Sequence, residues 1–440
     1  MRFLNNIPKW KKFPDTQTLG YYHPMGNYIY LEEYKDENDF KTSLLNPSLD
    51  KNRFSVYIHE MQHYFDHIST LWGATKLYKL YQAYDAVIKF NEYEFYKFRE
   101  LELSFKRDYF LDYYTEKYAN INGDFNNKWG FEISSGSRFS SDGKVNEDLP
   151  ILFVVFSSSK KERISRVPLS VVSLLETTAT FSEFSFLLSE AKKLASPHKE
   201  NQIKAISRKF EALLYNPELT LYSVAVHLVS VNLQIFDPIV GYQSSSLFAK
   251  IALNIPTELF QTIKIHSEFD ISDVWQHKAK KMLENKERGF AFYLLVKNYV
   301  ELFGKNIENL TVENVLKASN LPKEEKIEEL ISKEISELDL KILSEQNNLN
   351  REVIDIIFLG NKFRQSTGIG QQNAIAELAE FERGKPFLLF QETYFEYEDL
   401  NLEPIIKKLM QQQKLDIDEW FRFYTMCENR IDSFNTICGI

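Results

Sequence analysis

His59, Glu60 and His63 stand in the order His-Glu-Met-Gln-His, a spacing that could build a metal site with its own base. Residues four apart in an α-helix lie one turn apart on one face, so the two imidazoles can offer nitrogens to a single divalent ion. Glu60 stands beside the first of them. From there it can take a proton from an ion-activated water without being a ligand itself. A second carboxylate draws notice at Glu176, between Leu175 and Thr177 in a stretch apolar on nearly every side, where an ionised group needs a cationic partner or a metal. The competing reading makes Glu176, Glu183 and Glu190, seven apart, one solvated stripe.

Two helices must position these groups. In residues 54 to 73, Tyr57, Met61, Tyr64, Phe65, Ile68 and Leu71 recur at helical spacing, while His59, His63, Asp66 and Thr70 share another face. Asp50 or Ser48 is the expected N-cap and Gly73 the expected C-terminal stop. The second helix is expected from Pro168 to about Ala195, and its nearly all-round apolar character predicts burial.

HEMQH followed downstream by a helix bearing Glu176-Thr177-Thr178-Ala179 resembles the gluzincin branch of zinc metallopeptidases. The resemblance implies His59 and His63 as zinc ligands, Glu60 as general base, Glu176 as third ligand and Ala179 as the small residue at the helix crossing, with the fourth position left to water. Thermolysin-like members place an aspartate four residues after the glutamate, and Thr180 stands there in this chain. Asp66 is the alternative support for a ligand, with Thr180 as a lesser candidate. The donor to the developing oxyanion is expected from Tyr222, His227 or Tyr242. Metzincins need a glycine turn before a third histidine, whereas His67 follows with no break in the helix and lies one turn too far along. Glu60-Met61-Gln62-His63 also fits a di-iron ExxH, but such bundles need a second copy and the chain has none.

The 440 residues, 44% hydrophobic and 15% aromatic, describe a folded protein with a sizeable core. A formal charge of −9 gives no support for binding nucleic acid or an anionic membrane. The two cysteines, Cys427 and Cys438, provide no disulfide framework and fit a reducing compartment. Residues 1 to 17 have no uninterrupted apolar run of the kind an export signal needs, and the apolar stretch from Leu219 to Phe236 reads as a buried helix, so a cytoplasmic protein is expected.

Tyr28 to Tyr34 is a strand candidate, either for the sheet edge beside the site or equally for a core strand, and His23 a turn residue. Residues 74 to 120 read as two helices broken near Asn91, and 121 to 158 as a hairpin or small sheet. The GxG at Gly368 and Gly370 lacks a strand before it and is weak evidence for phosphate binding. These elements predict a predominantly helical α+β fold. Residues 1 to 305 form a zincin-like unit with an insertion at about 74 to 165, and 306 to 440 a helical module able to bind a protein partner. The expected activity is hydrolysis of a protein or peptide by an intracellular zinc metalloprotease. A zinc hydrolase of a non-peptide amide or ester, and a non-catalytic interaction protein with a structural metal, are the rival classes.

Overall fold

The computed structural model describes residues 19–89, 91–140, 143–338, 340, 347–370, 385–393 and 401–438. Residues 1 to 17, read above as lacking an export signal, lie outside them. In chain order the N-terminal part comprises β1 (Gly20–His23), β2 (Tyr28–Leu31), α1 (Glu37–Leu45), α2 (Lys51–Ser69), α3 (Leu71–Ile88) and α4 (Tyr96–Tyr109). Strands β3 (Glu116–Lys117), β4 (Gly130–Phe139), β5 (Val145–Ser157) and β6 (Arg163–Pro168) follow, then α5 (Val171–Lys192), α6 (His198–Leu214), α7 (Thr220–Leu233) and α8 (Pro238–Asn254). The remainder is α9 (Asp273–Glu284), α10 (Arg288–Phe303), α11 (Val312–Ala318), α12 (Glu324–Glu337), α13 (Asn348–Thr367), β7 (Phe387–Phe390), α14 (Glu403–Met410) and α15 (Ile417–Cys438). The protein is predominantly helical with two small sheets, an α+β architecture.

The first sheet has the order β1-β2-β7, antiparallel between β1 and β2 and parallel between β2 and β7. The segment at Tyr28 is therefore the central strand, the second of the two places its sequence allowed, and β1 is the strand at the margin nearest α2. The cause is a partner more than 350 residues along the chain: Phe387–Phe390 pairs with Tyr28–Leu31 in register. The second sheet, β3-β6-β5-β4, is antiparallel throughout. It contains the hairpin predicted between residues 121 and 158 and carries β6 directly into α5.

Helix α2 starts at Lys51 with Asp50 at its N-cap position, although the Asp50 carboxylate accepts from Ser43 Oγ and pairs with Arg53 rather than capping the backbone. It ends at Ser69. Thr70, in an extended conformation, caps α3 by accepting from the Gly73 N–H at 3.0 Å. Gly73 is thus not the helix stop but part of the next helix's first turn, and a Cβ there would come within 2.3 Å of the His67 backbone. A glycine is needed because the two helices turn that tightly on each other. Helix α5 likewise begins later than its proline suggests: Pro168 ends β6, and Ser170 with Ser173 forms a capping box ahead of Val171. It is also the described helix long and apolar enough by composition to cross a bilayer, yet 67% of that window is buried inside the protein, as befits a core helix.

The boundary expected near residue 305 does not separate two bodies. One apolar cluster runs from Tyr28 to Cys427. Helix α13 crosses the end of α2 so closely that a Cβ on Gly360 would meet the Ile68 carbonyl oxygen at 1.8 Å. Trp420 of α15 donates its indole N–H to the Gly26 carbonyl at 2.7 Å. The residues after 306, expected to form a helical module, pack apolar side chains into the same cluster as the N-terminal helices. Residues after 305 complete the core that holds α2.

Candidate metal centre

Helices α2 and α5 pack side by side and run in opposite directions. Ser48, just before α2, contacts Glu190; Ser55 contacts Glu183; Gln62 contacts Ser182; and Asp66 contacts Thr178. Ala179 is fully buried in α5. The three glutamates spaced seven apart do share one face, as their positions demand, but that face is turned onto α2 instead of water. Nothing of the solvated-stripe reading survives at Glu176 or Glu183, whose side chains are each 14% exposed.

This packing brings Glu176 to both histidines. Its Oε2 lies 3.2 Å from His59 Nε2 and 3.7 Å from His63 Nε2. One donor atom from each of the three residues falls within 4.8 Å of the other two, and among the described residues no other group of three His, Cys, Asp or Glu does so. Tetrahedral zinc with bonds of about 2.1 Å holds its ligand atoms roughly 3.4 Å apart. The two distances from Glu176 bracket that value, and two imidazoles with one carboxylate are a zinc-type donor set.

The surrounding charges are arranged around His59. Its other nitrogen, Nδ1, lies 3.7 Å from Glu183 Oε2. Burial alone would depress the His59 pKa, but Glu176 and Glu183 on either side of the ring, together with Glu60, hold it well above the usual imidazole value. Burial pushes Glu176 the other way, and His63 and His59 outweigh it, keeping the carboxyl far below the ordinary carboxylate range. The site therefore favours ionised carboxylates facing positive charge, supplied by a proton on the ring or by a cation shared among the donors.

Glu60 occupies the opposite side of the seam. It is 6% exposed, and its Oε2 accepts the Tyr22 backbone N–H from β1 at 2.7 Å. Gly20 of the same strand sits where a Cβ would lie 3.4 Å from Glu60 Cγ. Burial raises the Glu60 pKa, the two imidazoles oppose this, and Glu176 adds to it. A buried carboxylate with one oxygen pinned by a backbone amide and a raised pKa is suited to exchanging a proton.

The other predicted residues fall in different places. Asp66 is fully buried below the histidines, accepting from Gln62 Nε2 at 2.9 Å and from Thr178 Oγ1, with Lys250 of α8 as its counter-charge. Burial lowers the Lys250 pKa to about 8, against the pull of Asp66. Asp66 thus ties α2, α5 and α8 together, and its effect on His63 is through charge. Thr180 is buried and its hydroxyl makes no hydrogen bond. His23, expected in a turn, is instead the last residue of β1, paired with Tyr28, and its Nδ1 accepts from the Gly26 N–H of the following turn at 3.0 Å.

His227 is a core histidine, not an oxyanion donor: its Nε2 meets the Leu214 carbonyl at 2.7 Å, and Trp129, Phe156 and Tyr215 enclose the ring. Tyr222 lies on the same helix. Tyr242 is packed against Phe184 and Phe210, and its hydroxyl is buried without a hydrogen-bond partner. The helical period of α7 and α8 could show that these residues were apolar-face positions, but not which seam each face enters.

Tyr109, at the end of α4, was missed. Its hydroxyl is 2.9 Å from His67 Nε2, while His67 Nδ1 contacts the His63 carbonyl at 2.8 Å, so both nitrogens of His67 are engaged within the protein. The Tyr109 phenol is close enough to Glu176 and Asp66 for their charge to add to the large rise in its pKa that burial causes. Neighbouring Asp108 anchors that end of α4 by accepting from Trp72 Nε1 at 2.8 Å and pairing with Lys76 at 2.6 Å. An aromatic run such as residues 93 to 109 carries no mark for which of its rings faces a polar cleft. Comparison of the chain with protein-family models, curated proteins and solved structures returns no match.

Proposed function

We propose that this chain is an intracellular zinc-dependent metallopeptidase of gluzincin type, acting on a protein or peptide. The observation that carries the reading is Glu176 standing beside His59 across 117 residues, and beside His63, with spacings that suit one tetrahedral ion. A motif arising by chance on an amphipathic helix has no reason to recruit a third donor from a different helix.

In this reading His59, His63 and Glu176 would hold the zinc, which would supply a Lewis acid for the scissile carbonyl and lower the pKa of water. Glu60 takes the proton of the attacking water and delivers it to the leaving amine, a cycle that its raised pKa favours. The Tyr22 amide holds one Glu60 oxygen at 2.7 Å and leaves the other for the reaction. Tyr109 gives its one hydroxyl proton to His67 Nε2, because His67 Nδ1 donates to the His63 carbonyl, so it holds His67 in place rather than serving a developing oxyanion. Strand β1, at the margin of its sheet, is the edge along which an extended substrate backbone would align.

The test is proteolysis of an unfolded protein such as casein by zinc-loaded wild type and Glu60→Gln. Glu60→Gln is expected to keep its zinc and lose about 10²- to 10⁴-fold in turnover, the usual worth of a positioned acid–base group. Equal turnover by the two proteins, or none by wild type across a panel of peptides, would remove the peptidase assignment.

A further inference from the structure

We propose that Glu183 is a positioning residue for His59, fixing from the Nδ1 side the ring whose Nε2 faces Glu176. The inference rests on the metal site proposed above and assigns a residue that the motif itself does not contain. His59 lies between two carboxylates of one helix, Glu176 Oε2 at 3.2 Å from Nε2 and Glu183 Oε2 at 3.7 Å from Nδ1. The other Glu183 oxygen, Oε1, accepts from Lys209 Nζ at 3.0 Å and from Ser55 Oγ at 3.2 Å. Ser55 lies one helical turn before His59, so the carboxylate is held by the same helix whose ring it addresses.

The division of labour between the two oxygens is the physical content of the proposal. A histidine that binds a metal through Nε2 must carry its proton on Nδ1, and an anion beside Nδ1 fixes that tautomer and makes the ring a stronger donor. At 3.7 Å Glu183 acts on the ring through its charge rather than through a short hydrogen bond. Thr180, the nearer position on α5, is not available for the task, since its hydroxyl is buried without a partner.

A merely structural role for Glu183 fits less well. Its side chain is 14% exposed while that of Lys209 is 52% exposed, so the pair buries the acid and leaves the base in solvent. An ion pair of that kind returns little against the desolvation of the carboxylate. The fully buried Tyr242 makes no hydrogen bond through its hydroxyl, and the polar group that Glu183 Oε2 meets is His59 Nδ1 at 3.7 Å.

The test compares zinc affinity, by competition with a chromophoric chelator, in wild type, Glu183→Gln and Lys209→Met. Thermal unfolding without added metal controls for folding, and the visible spectrum of the cobalt-loaded proteins reports the ligand field. Glu183→Gln keeps the shape and removes the charge. It is expected to weaken zinc binding by about 10- to 100-fold and to shift the cobalt bands. Lys209→Met leaves the carboxylate free to act on His59, so its zinc affinity should equal or exceed that of wild type. Unchanged affinity and spectrum in Glu183→Gln, or equal weakening in both variants, would overturn the proposal and make the pair a structural brace. Failure of wild type to bind zinc at all would instead sink the metal site on which it rests, a distinct result.

Discussion

Two seams of this protein bury imidazoles, and they do so in opposite surroundings. Between α2 and α5, His59 and His63 meet Glu176, with Glu183 behind and Glu60 alongside, and the His59 pKa is driven up although its side chain is only 13% exposed. Between α7 and the second sheet, His227 is enclosed by Trp129, Phe156 and Tyr215, with a backbone carbonyl as its hydrogen-bond partner, and burial lowers its pKa to about 4. Both sites are dry. The difference lies in which groups the facing element contributes: carboxylates make a place for a cation, while aromatic rings and one carbonyl keep the ring neutral.

The sharpest way to break this contrast is to remove a donor from each seam. Glu176→Ala should abolish stoichiometric zinc binding, whereas His227→Phe should leave zinc content at the wild-type level, both measured by elemental analysis after dialysis. Retained zinc in Glu176→Ala would show that the carboxylate face does not define the site.

A second effect concerns what lies beneath the donors. Asp66→Asn leaves Lys250 buried without its counter-charge and should destabilise the fold by about 3–5 kcal/mol, the usual cost of orphaning a buried ion. Chemical denaturation checks this, and a loss below ~1 kcal/mol would mean that Lys250 gives up its proton instead.

A smaller effect separates the two seams by pH. The folded-state pKa of His227 lies near 4, below the unfolded value of 6.5, so the unfolded chain binds the extra proton first. Stability contributed by neutral His227 is complete above about pH 6.5 and is lost as pH falls towards 4, by at most roughly 3 kcal/mol. His227→Gln should flatten that part of the stability profile. A profile unchanged by the substitution would place the sensitivity elsewhere, with His67 and His23, also depressed by burial, as the next groups to replace.

The sequence made one part of the candidate site readable, because helical geometry fixes what a four-residue spacing can do. His59, Glu60 and His63 needed only an α-helix, and residues 51–69 form one. Glu176 was readable through its apolar neighbours, which forced the question of where its charge would go. Glu183 entered only through the competing reading of a solvated stripe. Its seven-residue offset placed it correctly on the face of Glu176, but whether that face met water or a helix depended on α2. Tyr109 and the Tyr22 amide gave no signal, since both reach the site through tertiary packing.

The fold shows the same division. The helix break near Asn91 and the hairpin before residue 158 follow from local turn chemistry. The central position of Tyr28–Leu31 and the docking of α13 and α15 do not. They depend on β7 and on contacts such as Gly360 against Ile68, which join distant parts of the chain and leave no periodic trace.

The most direct test of the account is the anomalous scattering of zinc-loaded crystals, recorded on both sides of the zinc absorption edge. The account predicts one strong peak in contact with His59 Nε2, His63 Nε2 and Glu176 Oε2, at about 2.0–2.2 Å from each. No peak among those three atoms, or a peak that leaves Glu176 out, would contradict it.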